Sequence, residues 1–440
     1  MRNEANILIR GVDVLTLDDS RPSLKNVDIA ISAGKITQIG EKIHVDSTLE
    51  LDGRSKVALP GMVDAHTHAF QILLRGALSL KDLNVHPIWL KILVPFEAEM
   101  EKEEAELSAR LACLNMIRKG ITSFADAGGP YPDILAEVAQ KAGLRARVTH
   151  STMDNGPENY RRDADQNRQL VSKWKNGRVR GCYSIRQIMT SSDDLMEKTI
   201  EYAERDGTGV HIHLCEEISE IEHALNRWGK RPVEYFFQKG FLSKRILAAH
   251  SAFLNDREVS MLAETGTNVV HCPMINMAYM TFPKIPKMLQ AGVNVALGSD
   301  GGSYRGLDLF TEMNIAIASL TAYYGTPYYD FAVLPTTTAL KMATTNGAAA
   351  IMEERLGVIS PGYVADIIMI DRRKPHLTPM YDLTSIPFFA TGSDVSDVIV
   401  DGRVLMKDGR VLTLKEETIM DAVEETAPHV LSRIRACLKR

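Results

Sequence analysis

VALPGMVDAHTHAF, residues 57–70, is the stretch on which the reading of the fold turns. An apolar run passes Pro60-Gly61 and ends in His66-Thr67-His68. Residues i and i+2 of a strand point to the same side, so two imidazoles converge on one spot. Two neutral imidazoles so placed are half of a metal site.

Working outward, strand-like runs recur at ITSFADA, RARVTHS, RGCYSIR, GVHIHLCE, RILAAHS, NVVHCP and NVALGSD. Helix-like segments such as EKEEAELSARLACLNMIRKG lie between most of them. Eight βα units predict a parallel (β/α)8 TIM-like barrel, an α/β fold. An open doubly wound sheet lacks support, because no G-x-G-x-x-G follows an early strand.

Outside this middle the texture changes. NILIRGVDVLTL, NVDIAISAGKITQIG and STLELDG near the start, with VADIIMIDRR and SDVIVDGRVLMKDGRVLTL near the end, read as short strands. Both chain ends are therefore expected to build one small composite β-sandwich, residues 1–56 and 362–412, around a barrel at 57–361. Residues 413–440 show helical spacing, interrupted by Pro428.

The chain has 440 residues, 45% hydrophobic and 24% charged, an ordinary globular composition. A net charge of −5 without a basic stripe argues against nucleic acid as a partner. Five cysteines, at 113, 182, 215, 272 and 437, form no CxxC pair, which speaks against a disulfide framework or zinc ribbon. No apolar run approaches the ~18 residues of a membrane span, and the first residues lack a signal-peptide core. These features lead us to expect a cytoplasmic protein without membrane partners.

Barrel chemistry sits at the C-terminal strand ends. Strand one ends in His66 and His68. Strand five carries His211, His213 and Glu216. Strands six, seven and eight end in His250, His271 and Asp300. Three histidines and a carboxylate with an open position suit catalytic Zn²⁺, with Fe²⁺ possible in the same ligand set. Such a metal lowers the pKa of bound water towards ~7, which points to hydrolysis. Spacing alone leaves His211 and His213 equivalent. A carboxylated lysine could bridge two metals, but strand four ends in YSIRQ, so one ion per chain is expected.

PGMVDAHTH, HLCE, the histidine of AAHS, VVHCPMINMAY and LGSDGG, in this order, resemble the amidohydrolase superfamily. The likeness covers nearly the whole chain. HAFQILLRG and the PFE at 95–97 make it most similar to the mononuclear branch. That branch holds methylthioadenosine/S-adenosylhomocysteine deaminases, guanine deaminase and triazine hydrolases.

The resemblance implies metal ligands His66, His68, His213 and Asp300. It makes Glu216 the acid/base and His250 the histidine beside the water and the substrate, with Asp300 also taking part in catalysis. It implies a deaminase that replaces an exocyclic amine of a nitrogen heterocycle (a purine nucleoside, pterin or triazine-like ring) with hydroxyl and releases ammonia. The alternative at the same site is a hydrolase expelling halide or an alkylamine from a triazine-like ring. A non-catalytic scaffold would be expected to have lost ligands. A homodimer or higher homo-oligomer is also implied.

Substrate-facing candidates are Glu97, Arg186, Gln71, Trp89 and His150. Glu97 stands where the nucleoside deaminases place a ribose-binding glutamate. Arg186 stands near their strand-four histidine and His150 near an arginine after strand three, so the pocket departs from that pattern. Trp89 offers a flat face for ring stacking.

Overall fold

The structure is a computed structural model and describes residues 4–78, 82, 87–303 and 306–438. Nine strands from both chain ends form one sheet. Five come from the start, Glu4–Leu15, Ser23–Ser32, Lys35–Gly40, Asp46–Asp52 and Lys56–Pro60. Four come from the end, Ile367–Asp371, Val395–Val400, Arg403–Lys407 and Arg410–Val411. Alternating residues of the two halves share one apolar core, including Ile7, Ile9, Ile29, Ile31, Ile367, Met369 and Ile399.

Lys56–Pro60 joins the halves, running parallel to the first strand and antiparallel to Ile367–Asp371. These residues belong to the terminal sheet, so the first barrel strand begins at Met62 rather than at 57. Gly61 makes the crossing. A Cβ there would lie 2.2 Å from Thr122 Oγ1, so the close approach of the two layers requires glycine.

The eight predicted barrel strands are all present. Met62–His68, Ile121–Asp126 and Arg145–Val148 are followed by a fourth strand in two pieces, Val179–Gly181 and Tyr183–Ile185. Val210–Leu214, Ile246–His250 and Asn268–His271 lead to an eighth, also in two pieces, Val295–Leu297 and Asp300–Gly301. All neighbours pair in parallel, and Asp300 pairs with Thr67 to bring the eighth strand back to the first. These strands are buried on both faces, and apolar positions such as Val63, Phe124, Ile212 and Val270 share them with buried polar ones such as Asp64, Ser123 and Arg145.

A buried ion pair ties barrel to terminal sheet. Arg145, on the third barrel strand, holds Asp366, just before Ile367–Asp371, through Nε at 3.3 Å. The last helix, Glu416–Cys437, is continuous through Pro428. The turn before that proline is largely exposed, where a carbonyl released from the helix ladder is open to water. No helix among the described residues is long and apolar enough to cross a membrane.

Candidate active site

Strand ends deliver the site. His66 and His68, two apart on the first strand, both point inward and are buried. His211 and His213 repeat this on the fifth strand, and His250 and Asp300 close the ring. His250 and Asp300 adopt positive φ, 70° and 59°, as does Cys215 beside Glu216, at 54°. Non-glycine residues in that region cost roughly 1–3 kcal/mol each and cluster where geometry serves chemistry.

Two groups of donor atoms lie within 4.8 Å of one another, His66/His68/Asp300 and His66/His213/His250. Asp300 Oδ1 stands 3.5 Å from His66 Nε2 and 3.6 Å from His68 Nε2. His68 and His213 turn their Nε2 atoms to within 3.1 Å of each other. His66 Nε2 is buried with no protein partner. Burial pushes the pKa of His66 down to about 3, helped by the Arg186 charge, and holds His68 and His213 well below the usual imidazole value. Neutral rings with converging lone pairs fit a divalent metal of the zinc type.

The two histidines of the fifth strand differ in what their rings touch. His213 donates Nδ1–H to the Arg186 carbonyl at 2.8 Å, which leaves Nε2 for the centre. His211 instead sits behind His66, Nε2 to Nδ1 at 2.7 Å. Spacing alone makes it the equal of His213, and the resemblance places the ligand at His213; here its ring contacts another imidazole rather than a main-chain carbonyl. His271 is buried but joins neither donor group.

Glu216 is buried, with Oε1 3.7 Å from His250 Nε2, and Asp300 Oδ2 is 4.0 Å from the same nitrogen. Burial, then the charges of Glu217, Asp300 and Glu220, raises the Glu216 pKa well above the carboxylate range. Glu220, at the start of helix Ile218–Trp228, accepts the main-chain N–H groups of Cys215 and Glu216, each at 2.8 Å. Glu220 was not among the sequence candidates, since an i, i+4 acidic pair is commonplace on helices.

A narrow cavity beside these groups is lined by Trp89, Leu93, Arg186, Gln187, Glu216, Tyr279 and Asp300, with His68 and His213. It holds Trp89 and Arg186 of the substrate candidates. Glu97 and Gln71 lie outside this lining, fully buried together. Gln71 Nε2 donates to Glu97 Oε1 at 2.8 Å, and the Tyr160 hydroxyl bonds Oε2. Gly301 permits this, because a Cβ there would fall 2.3 Å from Gln71 Oε1.

His150 is not brought to the cavity. Its neighbouring charges are Arg162, Asp133 and Asp163, and burial lowers its pKa to about 4. The third strand ends at Val148, and the bridge from Gly129 to His150 holds the chain beside the second strand's exit instead.

Comparison with known proteins agrees with this geometry. The amidohydrolase family profile matches residues 57–405. The chain is 37% identical to a 5'-deoxyadenosine deaminase of Methanosarcina barkeri, over 98% of this chain and 100% of that one. It is 33% identical to a 5-methylthioadenosine/S-adenosylhomocysteine deaminase of Pelotomaculum thermopropionicum, over 98% and 100%. Among solved structures, an adenosine deaminase from Xanthomonas campestris with bound zinc superposes with a TM-score of 0.90 at 25% identity, over 99% and 100% of the two chains. Zinc-bound atrazine chlorohydrolase from Arthrobacter aurescens shares the fold, with a TM-score of 0.86 at 23% identity, over 96% and 100%. The chain belongs to the amidohydrolase family, among its carbon–nitrogen bond hydrolases.

Proposed function

We propose that this protein deaminates the adenine ring of an adenosine derivative, replacing the exocyclic amine with hydroxyl and releasing ammonia. The observation that carries this reading is geometric. Glu216 lines the same cavity as His68, His213 and Asp300, and the two donor groups that contain these three residues share His66. Deaminase relatives of essentially the full chain length support it.

Zn²⁺, one per chain, is the proposed ion, held by His66, His68, His213 and Asp300; Fe²⁺ suits the same donors. When bound it supplies the Lewis acidity that makes water a nucleophile near neutral pH. The residues do the rest. Asp300 Oδ2 and His250 Nε2 hold the attacking water and take its proton. Water oxygen bonds to the ring carbon bearing the amine. Glu216 gives its proton to the adjacent ring nitrogen, which lets that carbon become tetrahedral without building up negative charge. The carbon–nitrogen bond then breaks, and the amine leaves as ammonia after a proton is returned to it. Proton transfers of this kind are worth about 10²–10⁴ in rate.

Glu97, positioned by Gln71 and Tyr160, is proposed to receive the sugar hydroxyls. This requires Tyr160 or Gln71 to yield one carboxylate oxygen. The enzyme is further proposed to be a cytoplasmic homo-oligomer built on dimers, and a monomer by light scattering at micromolar concentration would refute that assembly.

The test is turnover of 5'-deoxyadenosine, 5-methylthioadenosine, S-adenosylhomocysteine and adenosine by zinc-loaded protein, read as ammonia release and the shift of the adenine absorbance. Halide or alkylamine release from a triazine, with no ammonia from any adenosine derivative, would overturn the reading.

A further inference from the structure

One wall of the active-site cavity consists of hydrogen-bond donors that the protein does not use. Trp89 is 4% exposed, and its indole Nε1 is buried without a partner. Gln187 is 1% exposed. Its Oε1 accepts the Met189 main-chain N–H at 3.0 Å, which fixes the orientation of the amide and leaves Nε2 buried, near the Glu220 carboxyl but outside hydrogen-bond distance of any partner. Arg186 is 2% exposed; its charge acts on the Asp126 and Glu216 carboxyls, although it closes an ion pair with neither. Its one side-chain contact, from Nη1 to His68 Nδ1, is 3.3 Å, long for a charged donor. All three residues line the cavity that Glu216 and Asp300 also line.

Buried donors are ordinarily paired, and a buried charge without a counter-charge is costlier still. Two unpartnered donors beside a guanidinium held by one long contact leave the space between them unfinished until something occupies it. Local structure holds them there. Arg186 and Gln187 follow the second piece of the fourth strand, and Trp89 opens a π-helical turn, Trp89–Leu93, which leads directly into the helix carrying Glu97. Irregular turns of that kind recur at functional sites.

We propose that Trp89, Arg186 and Gln187 form a wall of donors that reads an acceptor edge of the heterocycle. The wall accepts rings that present only acceptors there, unprotonated ring nitrogens or an oxo group. It rejects rings carrying an amino group or N–H on that edge, because donor would face donor. The proposal rests on the deaminase reading and names the substrate class within it. In 5'-deoxyadenosine the acceptors available are the imidazole nitrogen N7 and the pyrimidine nitrogen N3, while N1 is the site of protonation by Glu216.

The experiment compares four compounds with zinc-loaded protein: 5'-deoxyadenosine, its 3-deaza and 7-deaza analogues, and its 2-amino analogue. Each is measured with wild type, Arg186→Met, Gln187→Met and Trp89→Phe. Wild type is expected to lose about ten- to a hundredfold in kcat/KM on at least one deaza analogue and on the 2-amino compound. At least one variant should turn over the parent more slowly while shrinking those penalties, with zinc content unchanged. Three separate variants protect the test against one that fails to fold. Wild-type rates that do not distinguish the four compounds overturn the proposal, as do penalties that persist undiminished in every folded variant. Wild type that deaminates none of the four overturns the deaminase reading itself, and the wall with it.

Discussion

His213 donates its Nδ1–H to the main-chain carbonyl of Arg186 across 2.8 Å. This bond sets the tautomer of one ring of the proposed metal site and orients it. It also ties that ring to the strand end bearing the arginine of the cavity wall. His66 is supported in the same manner by the ring of His211, at 2.7 Å.

The pair makes His211 and His213 separable by experiment. His213→Ala is expected to abolish tight metal binding. His211→Ala should keep the site but weaken metal affinity by about 10–100-fold, the usual cost of losing a ligand's supporting partner. Competition with a chelator of known affinity measures both. Wild-type affinity in His211→Ala would leave the His66 contact without function.

Metal content gives a second check. No lysine ends the fourth strand, and the two donor groups share His66. Elemental analysis of purified protein should return about one divalent ion per chain, the count expected of a single site of this type. His66→Ala and Asp300→Ala should each deplete it. Two ions per chain, or none after supplementation, would contradict the ligand assignment.

Glu216→Gln preserves shape but cannot pass a proton. Deamination should fall by about 10²–10⁴, the range for a lost general acid, while the metal stays bound. Near-wild-type turnover by a folded, metal-loaded variant would remove Glu216 from the acid/base role.

Glu220 tests positioning rather than chemistry. Its two carboxylate oxygens accept the Cys215 and Glu216 N–H groups and thereby hold Cys215 at a φ of 54°. Glu220→Gln turns one acceptor into a donor facing a donor. The outcome expected is a fall in kcat greater than the change in KM, at unchanged metal content and with a pH profile altered relative to wild type. A uniform loss of metal and stability, with the profile intact, would mark the residue as merely structural.

The clamp between barrel and terminal sheet predicts stability. Asp366 is fully buried against Arg145 and also accepts the Asp401 N–H at 2.7 Å. Asp366→Ala leaves a buried guanidinium short of its partner and should cost about 3–5 kcal/mol. Chemical denaturation followed by fluorescence measures it. A loss under about 1 kcal/mol, the size of an exposed pair, would show that the bridge is solvated.

Much of this architecture was legible in linear order. The ends of the first, fifth, sixth and eighth strands carry the histidines and the aspartate of the candidate site within a few residues of apolar positions such as Val63, Ile212, Ala248 and Leu297, and barrel chemistry gathers at those ends. The order of strand ends thus brought His66, His68, His211, His213, His250 and Asp300 to one end of the barrel before any packing was known, and only the resemblance chose His213 over His211. The β-rich ends were equally visible, although Lys56–Pro60 reads as one run with the first barrel strand and only hydrogen bonding assigns it to the terminal sheet.

Tertiary structure alone decided which side chains meet across elements. Nothing in the spacing of His211 and His213 separates a ligand from its supporter, since both face inward; the difference is set by what lies opposite, His66 for one and the Arg186 carbonyl for the other. Nor does order along the chain bring Trp89 against Gln187, pair Glu97 with Tyr160, or turn His150 towards Asp133 and Arg162. Such contacts depend on loop paths and on the angle at which each helix leaves its strand. A period of 2 or 3.6 residues fixes the face a side chain takes on its own element, not its neighbour on another.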